Sequence, residues 1–176
     1  MKKMILFATS VVLFAVGCSV KVHDDKGGSS PGPSPKLVLK GEALSGTVDG
    51  HPWNPTYAIA RLEQGEYSIT LAGPGTQITC SNWFPMQPSV QFTVPPAPGT
   101  YEWDMNAPVS GSRIVNVIFP YTTNNGGGAT TVLAEVSVIR VDSIVGGKLN
   151  GAMAAQATAS DHSYAINGVF QAQLCP

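Results

Sequence analysis

The sequence predicts an all-β domain: an antiparallel β-sandwich or a closed β-barrel of about ten strands. Beyond residue 40, apolar residues recur at every second position, as in residues 66–71 and 89–94, and this alternation is typical of strands with one buried face. The 19 Gly and 14 Pro among 176 residues indicate many turns. No apolar period of 3.6 residues continues long enough to predict a helix.

The alternation also places the strands along the chain. They are predicted at residues 43–48, 57–62, 66–71, 77–80, 89–94, 101–105, 113–119, 131–141, 144–153 and 164–174. Between these segments, Asp49-Gly50 can adopt the positive φ angles of a tight hairpin. Pro98-Gly99 can form a turn, and residues 124–128 predict a longer loop.

Residues 131–141 change phase within the pattern. The apolar residues occupy even positions up to Val138 and odd positions, Ile139 and Val141, after it. A shift of one residue is what a β-bulge produces, so we expect a bulge near Val138 and Ile139, or an edge at which both faces are partly covered. Gly168 predicts a point where a strand bends or another backbone comes close.

The N terminus has the organisation of a secretory signal peptide. Lys2 and Lys3 supply positive charge, residues 4–16 carry none, and small residues precede Cys18. A retained membrane helix is the alternative. However, these 13 residues would rise only about 20 Å as a helix, against a hydrocarbon core of about 30 Å. We therefore expect cleavage after residue 17.

The residues Phe14-Ala15-Val16-Gly17-Cys18 resemble the lipobox of bacterial lipoproteins, in which the Cys is acylated and becomes the N terminus. Ala15 stands where the lipobox usually has Leu, and Ala-x-Gly also suits the ordinary signal peptidase, which would leave Cys18 as a free thiol. The resemblance implies lipidation of Cys18, with palmitate, and attachment to the cell envelope. Ser19 in place of Asp implies the outer membrane of a Gram-negative cell, facing the periplasm or the cell surface.

Cysteine pairing supports lipidation. The chain has three cysteines, Cys18, Cys80 and Cys175, and an odd thiol in an oxidising compartment needs an explanation. If Cys18 carries lipid, the other two remain as one disulfide. Such a bridge closes a loop of about 95 residues and adds about 4 kcal/mol in the chain-entropy treatment. Because Cys175 follows Leu174, we expect the bridge at the end of the sheet rather than in the core.

Three regions follow from these patterns: a signal peptide at 1–17, a lipidated Cys with a disordered tether at 18–40, and an all-β domain at 41–176. The tether is rich in charge, Gly, Ser and Pro and buries too little apolar surface to offset its ordering entropy. The domain has nine acids and four bases, a net charge of −5, and so lacks the basic surface that nucleic-acid binding needs.

The domain opens with Gly46-Thr47-Val48 and Trp53 and closes with Asn167-Gly168-Val169-Phe170 before Cys175. Together with Cys80 and the turn before Tyr101, these residues resemble a pattern found in small bacterial lipoproteins of unknown function. The resemblance spans most of residues 44–175. It implies an all-β exported domain and carries no activity.

No catalytic residues are predicted. Asp161-His162-Ser163 has the side-chain types of a serine hydrolase, but neighbours on a strand point to opposite faces, and no Gly-x-Ser-x-Gly sequence is present. Glu102 and Asp104 share one face, whereas paired catalytic carboxylates usually come from separate elements. The alternative is an envelope hydrolase acting on glycan or ester substrates through Glu102, Asp104 and His162.

Neither a metal site nor a cofactor is predicted. His51 and His162 lack further ligands at zinc spacing, and Asp49, Asp142 and Asn150 follow no calcium-loop spacing. Aromatic side chains could form a stacking surface or pack the fold, the second being more usual; they are Trp53, Trp83, Trp103 and Tyr121.

The ligand-binding candidates are Trp83, Phe84 and Met86, because an apolar cluster in a Pro-containing loop can rim a site. The sequence thus predicts a lipid-anchored envelope protein with a non-catalytic binding or structural role. Its partners would be the membrane, through the lipid, and an envelope protein, a glycan or a small apolar ligand.

Overall fold

The structure is a computed structural model that describes Ser34 and residues 36–83, 89–106, 117–121, 130–159 and 162–176. All of them belong to one compact unit, Pro31–Pro176. Within these ranges the strands are β1 (Ser45–Val48), β2 (His51–Trp53), β3 (Tyr57–Glu63), β4 (Glu66–Ala72), β5 (Ser89–Val94), β6 (Gly99–Asp104), β7 (Val117–Tyr121), β8 (Thr130–Leu133), β9 (Val136–Val145), β10 (Lys148–Ala159) and β11 (His162–Leu174). The all-β prediction is confirmed. In this part of the chain no helix is long and apolar enough to cross a membrane.

The strands form a single sheet in the order β6-β9-β10-β11-β3-β4-β5-β7-β8, and the β1–β2 hairpin pairs with β11. Neighbours are antiparallel except β11 and β3, which are parallel. The sheet curls into an open half-barrel, so the prediction of a sandwich or a closed barrel is wrong. A sandwich needs two sheets, and closure would need the end strands β6 and β8 to pair, which they do not over the described residues.

A two-residue corner connects β8, at one end of this strand order, to β9, which is next to the strand at the other end. Ala134 and Glu135 alone separate β8 from β9, and their amides donate to Val117 O of β7 and to Gln156 O of β10, both at 2.8 Å. The predicted strand at 131–141 is therefore two strands with different neighbours. Of the other predicted strands, 77–80 contributes only an isolated bridge at Thr79, and 144–153 is interrupted by the β9–β10 turn.

Alternate side chains of the strands fill the inner face of the half-barrel. The largest fully buried side chains are Tyr164, Phe119, Ile69, Leu71, Ile139, Leu149, Met153, Val90, Val94, Val117 and Val141. The rings of Phe119 and Tyr164 lie 5.3 Å apart between centroids, and Phe92 meets Phe170 edge to face at 5.5 Å. Each buried aliphatic side chain stabilises the fold by about 1.5–3 kcal/mol. The interior is a packed core.

The β-bulge of β9 lies at Asp142. Gly151 pairs with Val141 and Asn150 pairs with Ser143, which leaves Asp142 as the extra residue. The predicted bulge near Val138 and Ile139 is wrong, because register there is unbroken against both β10 and β6. Residues 136–139 are instead buried on both faces, and this double burial explains the change of phase.

A segment before β1 crosses the outer face of the sheet. Ser34 Oγ donates to Asp104 Oδ1 of β6 at 2.8 Å, and further along the chain Asn167 Nδ2 of β11 donates to Val38 O at 2.8 Å. Because β9 and β10 lie between β6 and β11, the segment must pass over both. We call Ser34 and residues 36–43 the strap; most of it falls in the range predicted to be tether.

The disulfide joins Cys80 and Cys175, with Cα atoms 5.4 Å apart. Cys175 follows the end of β11 and packs against a small cluster separate from the main core, Ile59, Ala72 and Ile78. The predicted pairing and its place at the end of the sheet are confirmed.

Two glycine predictions are also confirmed. Asp49 and Gly50 have φ angles of 54° and 75° in the β1–β2 turn. At Gly168, with φ 143°, an added Cβ would lie 2.6 Å from Glu42 O, so only glycine lets the strap come this close.

Candidate functional site

Trp83 is the one member of the predicted ligand cluster within the described residues. It is half-buried and packs against the cluster beside the disulfide. The Arg61 guanidinium lies 4.7 Å from its ring centroid, a contact worth about 0.5–1 kcal/mol at an exposed site. Trp83 thus has a packing role on β3. Phe84 and Met86 lie outside the described residues, and their ligand binding stays a prediction.

The other predicted stacking aromatics are divided between different parts of the fold. Trp53 is 6% exposed and belongs to the main core. Trp103 Nε1 donates to Ala134 O at 3.0 Å, which ties β6 to the corner before β9. The side chain of Tyr121 lies outside the described set. Trp53 and Trp103 therefore serve packing.

The three residues of the alternative hydrolase hypothesis, Glu102, Asp104 and His162, do not lie together in the structure. Glu102 and Asp104 share the outer face of β6, as predicted, and Asp104 Oδ1 accepts hydrogen bonds from Ser34 Oγ at 2.8 Å and Asn106 N at 2.9 Å. His162 lies on β11, three strands away in the sheet. By alternation with the buried Tyr164, its side chain is on the inner face. The two carboxylates thus face away from the histidine.

His162 has a different partner, which sequence reasoning missed. Its Nδ1 contacts Asp49 Oδ1, and the Tyr164 hydroxyl donates to the same oxygen at 3.0 Å. These contacts hold the β1–β2 turn against the start of β11. The partners are 113 residues apart in sequence, and no local pattern could have paired them. Ser163 alternates to the opposite face of β11, so the three consecutive residues form no relay.

A groove opens on the outer face beside the β9 bulge. Its volume is about 380 Å³, and it is lined by Ala43, Asp142, Asn150, Gly151, Val169, Phe170 and Gln171. A bulge re-aims the side chains next to it. Here the inserted residue, Asp142, supplies a carboxylate to the groove wall.

Arg140 fixes that carboxylate. Arg140 Nε donates to Asp142 Oδ1 at 2.6 Å and Nη2 donates to Oδ2 at 3.3 Å, a two-point contact that restricts the carboxylate plane. The hydrogen bond and then the negative charge of Asp142 raise the pKa of Arg140 above its ordinary value. The Asp142 contact therefore favours the charged form of the Arg140 guanidinium.

A ladder of polar side chains crosses three strands along the groove. Lys148 Nζ donates to Gln171 Oε1 at 2.8 Å, Gln171 Nε2 to Asn150 Oδ1 at 2.7 Å, and Asn150 Nδ2 to Ser143 Oγ at 3.1 Å. Each bond fixes the orientation of the next amide. Since a carboxamide has two N–H donors, Asn150 and Gln171 each keep one for a ligand.

A second depression, of about 450 Å³, lies over β3–β5 and is lined by Glu63, Gln64, Glu66, Ser68 and Thr93. Its lining contains no apolar residue, and the Glu63 carboxylate pairs with Arg61 Nε at 3.6 Å. Over the described ranges, no three His, Cys, Asp or Glu side chains converge in a way that could hold a metal ion.

Cys18 lies outside the described residues, so its lipidation stays a prediction from the lipobox resemblance. No protein-family model, curated protein or solved structure matches the chain.

Proposed function

We propose that the protein is a lipid-anchored envelope protein whose β domain binds a small neutral saccharide in the groove at the β9 bulge, without converting it. The anchor rests on the signal peptide and the lipobox resemblance at Cys18. The observation that carries the binding role is the ordered amide ladder beside the apolar side chains of Ala43 and Val169. A non-catalytic role accords with the separation of Glu102 and Asp104 from His162.

The lining of the groove suits hydroxyl groups. A sugar hydroxyl both donates and accepts a hydrogen bond, and the groove offers the Asp142 carboxylate as acceptor and the amides of Asn150 and Gln171 as donors. Val169, which is 37% exposed on the outer face, provides an apolar surface for the C–H face of a sugar ring. The volume of about 380 Å³ lies within the range of about 300–1,000 Å³ that is usual for small-molecule sites.

The charge and polarity of the groove limit the chemical class of the ligand further. Arg140 and Asp142 neutralise one another, and Lys148 is the charged member of the ladder itself. A strongly charged ligand therefore gains little, and an entirely apolar one would leave the amides unsatisfied at a cost of about 1–3 kcal/mol each. Among the partners expected from the sequence, the groove favours a glycan over a small apolar ligand.

Binding is tested on the soluble mature chain carrying Cys18→Ser, titrated with neutral gluco-oligosaccharides and N-acetylated oligosaccharides. We expect saturable shifts in the side-chain amide NMR signals of Asn150 and Gln171. Asn150→Ala and Gln171→Ala should each weaken binding about tenfold, which corresponds to about 1.4 kcal/mol. Gln173→Ala is the matched control, because this glutamine on the same strand donates to Gly147 O, away from the groove.

Three results would replace the proposal. Absence of any saturable shift would mean that the domain does not bind these saccharides. Unchanged binding in both Ala variants would mean that the saccharide site lies elsewhere on the molecule. Turnover of a saccharide that is lost in Glu102→Gln or Asp104→Asn would favour the hydrolase. Anchoring has a separate test, because membrane retention of the Cys18→Ser protein in its native host would contradict lipidation.

A further inference from the structure

The outer face of β9 and β10 is apolar where the strap crosses it. Ala152 and Ala154 are 0% and 1% exposed, and Val136 and Val138 are 8% and 7% exposed. All four lie outside the main core cluster. We call them the track. The outer face of a sheet that has only one buried face is normally polar, as it is here at Asn150 and Gln156, which flank the two alanines on β10. The apolar track therefore indicates that another segment covers it.

The strap has the chemistry of an extended peptide that fits this track. Leu37 and Leu39 are half-buried, whereas Lys36, Val38 and Lys40 are exposed. Exposure that alternates with a period of two is what an extended chain shows when one face lies against a surface. The two leucines therefore face the sheet, and the small alanines of β10 leave room for them.

Asn167 recognises the main chain of the strap. Its Nδ2 donates to Val38 O at 2.8 Å, and its Oδ1 accepts from Lys40 N at 2.9 Å. A carboxamide offers the same donor and acceptor as a peptide group, so these two bonds imitate a neighbouring strand. Such contacts do not depend on side-chain identity, and peptide sites that add a strand to a sheet use them for affinity.

The backbone pairing continues beyond Asn167. Val169 N donates to Glu42 O at 2.7 Å and Leu44 N donates to Val169 O at 2.9 Å, with Ala43 bridging Val169 in parallel. Main-chain pairing along the strap and apolar contact at alternate residues together define a peptide-binding arrangement.

We propose that the track is a binding site for an extended peptide with apolar residues at alternate positions, filled in cis by the strap and in trans by the strap of a second copy. The strap is a sequence with the required pattern, and every copy carries it. Exchange between copies replaces contacts by identical ones, so it costs little beyond association. Gly41 is the hinge, since it is exposed and an added Cβ would meet nothing within 4 Å.

The choice of a second copy rests on the proposed anchoring, because copies held in one membrane meet at high local concentration. The peptide site itself needs neither the anchor nor a saccharide. Its test therefore uses the soluble Cys18→Ser chain without saccharide, and failure here is separate from failure of the proposed function.

In the first experiment, Leu37→Asp and Leu39→Asp are combined in one chain so that its own strap no longer covers the track. This double variant is titrated with a synthetic peptide of residues 34–43. We expect saturable NMR shifts at Ala152, Ala154 and Asn167, with a Kd below about 1 mM. The matched control is Val38→Asp, an exposed strap position, whose own strap should keep the site filled and weaken peptide binding at least tenfold. No saturable binding to a folded double variant overturns the proposal.

A second arm tests the occupant. The labelled double variant is mixed with an unlabelled chain carrying Ala154→Glu, whose own strap has lost its site. The NMR signals of Ala152, Ala154 and Asn167 in the labelled chain should shift. Analytical ultracentrifugation of the mixture should show a heterodimer. Peptide binding without heterodimer formation overturns the second copy as partner.

Hydrogen exchange on the unsubstituted strap covers the case in which a variant fails to fold. The amide of Lys40, on the strap side of the Gly41 hinge, should exchange at least tenfold faster than that of Ile166 in β11, because the strap must open while the sheet stays folded. Equal protection would mean that the strap leaves only on global unfolding, and it overturns the proposal.

Discussion

Ala152 and Ala154 on the outer face of β10 are as deeply buried as Leu149 and Met153 on its inner face, but different partners bury the two faces. On the inner face, Leu149 and Met153 are fully buried among side chains from most strands of the sheet. On the outer face, Ala152 and Ala154 lie beneath one short strap. Burial on the inner face is therefore a property of the whole fold, and burial on the outer face is a property of one segment that can open locally.

Loss of the disulfide should damage both faces, because the bridge holds the end of β11, which contributes Tyr164 to the core and Asn167 to the strap contacts. Cys80→Ala with Cys175→Ala should lower the free energy of unfolding by about 4 kcal/mol in the chain-entropy treatment. Urea unfolding followed by circular dichroism measures this, with reduced unsubstituted protein as the control. A loss below about 1 kcal/mol would mean that β11 is held without the bridge.

A cavity on the inner face should lower global stability. Leu149→Ala removes a fully buried side chain and should cost about 3 kcal/mol, since Leu→Ala in a core costs about 2–5 kcal/mol. The partly exposed Leu39→Ala on the strap is the matched control and should cost about 1 kcal/mol or less. Similar losses in urea unfolding would contradict the distinction between the two faces.

Alternation in the sequence predicted the strands whose pairing is local. The segments expected at 57–62, 66–71 and 89–94 correspond to β3, β4 and β5 to within one residue. The segment expected at 144–153 runs through Gly146 and Gly147, which have φ angles of 60° and 74° and form the β9–β10 turn. Apolar residues lie on both sides of this turn, so alternation alone predicted one strand across it.

What covers a face depends on distant parts of the chain, which a local pattern cannot specify. The double burial of residues 136–139 was visible as a change of phase, but the strap that accounts for it precedes them by about 100 residues in the printed sequence. The groove likewise depends on register, because Asp142, Asn150 and Gln171 meet only through pairing of three strands. From the sequence, Asp142 and Asn150 were considered only as calcium ligands together with Asp49, without the required spacing.

Gly168→Ala should separate the faces most clearly. The Cβ would lie 2.6 Å from Glu42 O at a φ angle of 143°, and such backbone strain costs about 1–3 kcal/mol. The Cβ would also lie 2.7 Å from Leu44 N and Cα, so displacement of the strap together with Leu44 relieves the clash. Hydrogen exchange should then be faster at Lys40 and Leu44, with unchanged protection at Ile166. Gly147→Ala is the control, because Gly147 also has a positive φ, 74°, but lies in the β9–β10 turn, where an added Cβ would contact only Gln173. Uniform loss of protection would mean that the strap and the core form one cooperative unit.

The smallest effect expected is on a polar contact of the inner face. Tyr164→Phe removes a donor to Asp49, at 3.0 Å, while its ring stays packed against Phe119. The loss should be about 1–2 kcal/mol, because the hydrogen bond is part-buried and ends on a carboxylate. Tyr57→Phe is the matched control: its exposed hydroxyl accepts from Gln77, and its loss should change unfolding by less than about 0.5 kcal/mol. If the two variants unfold at the same urea concentration, the Tyr164 hydroxyl contributes nothing to stability, and the His162 contact with Asp49 and backbone pairing to β11 hold the β1–β2 turn without it.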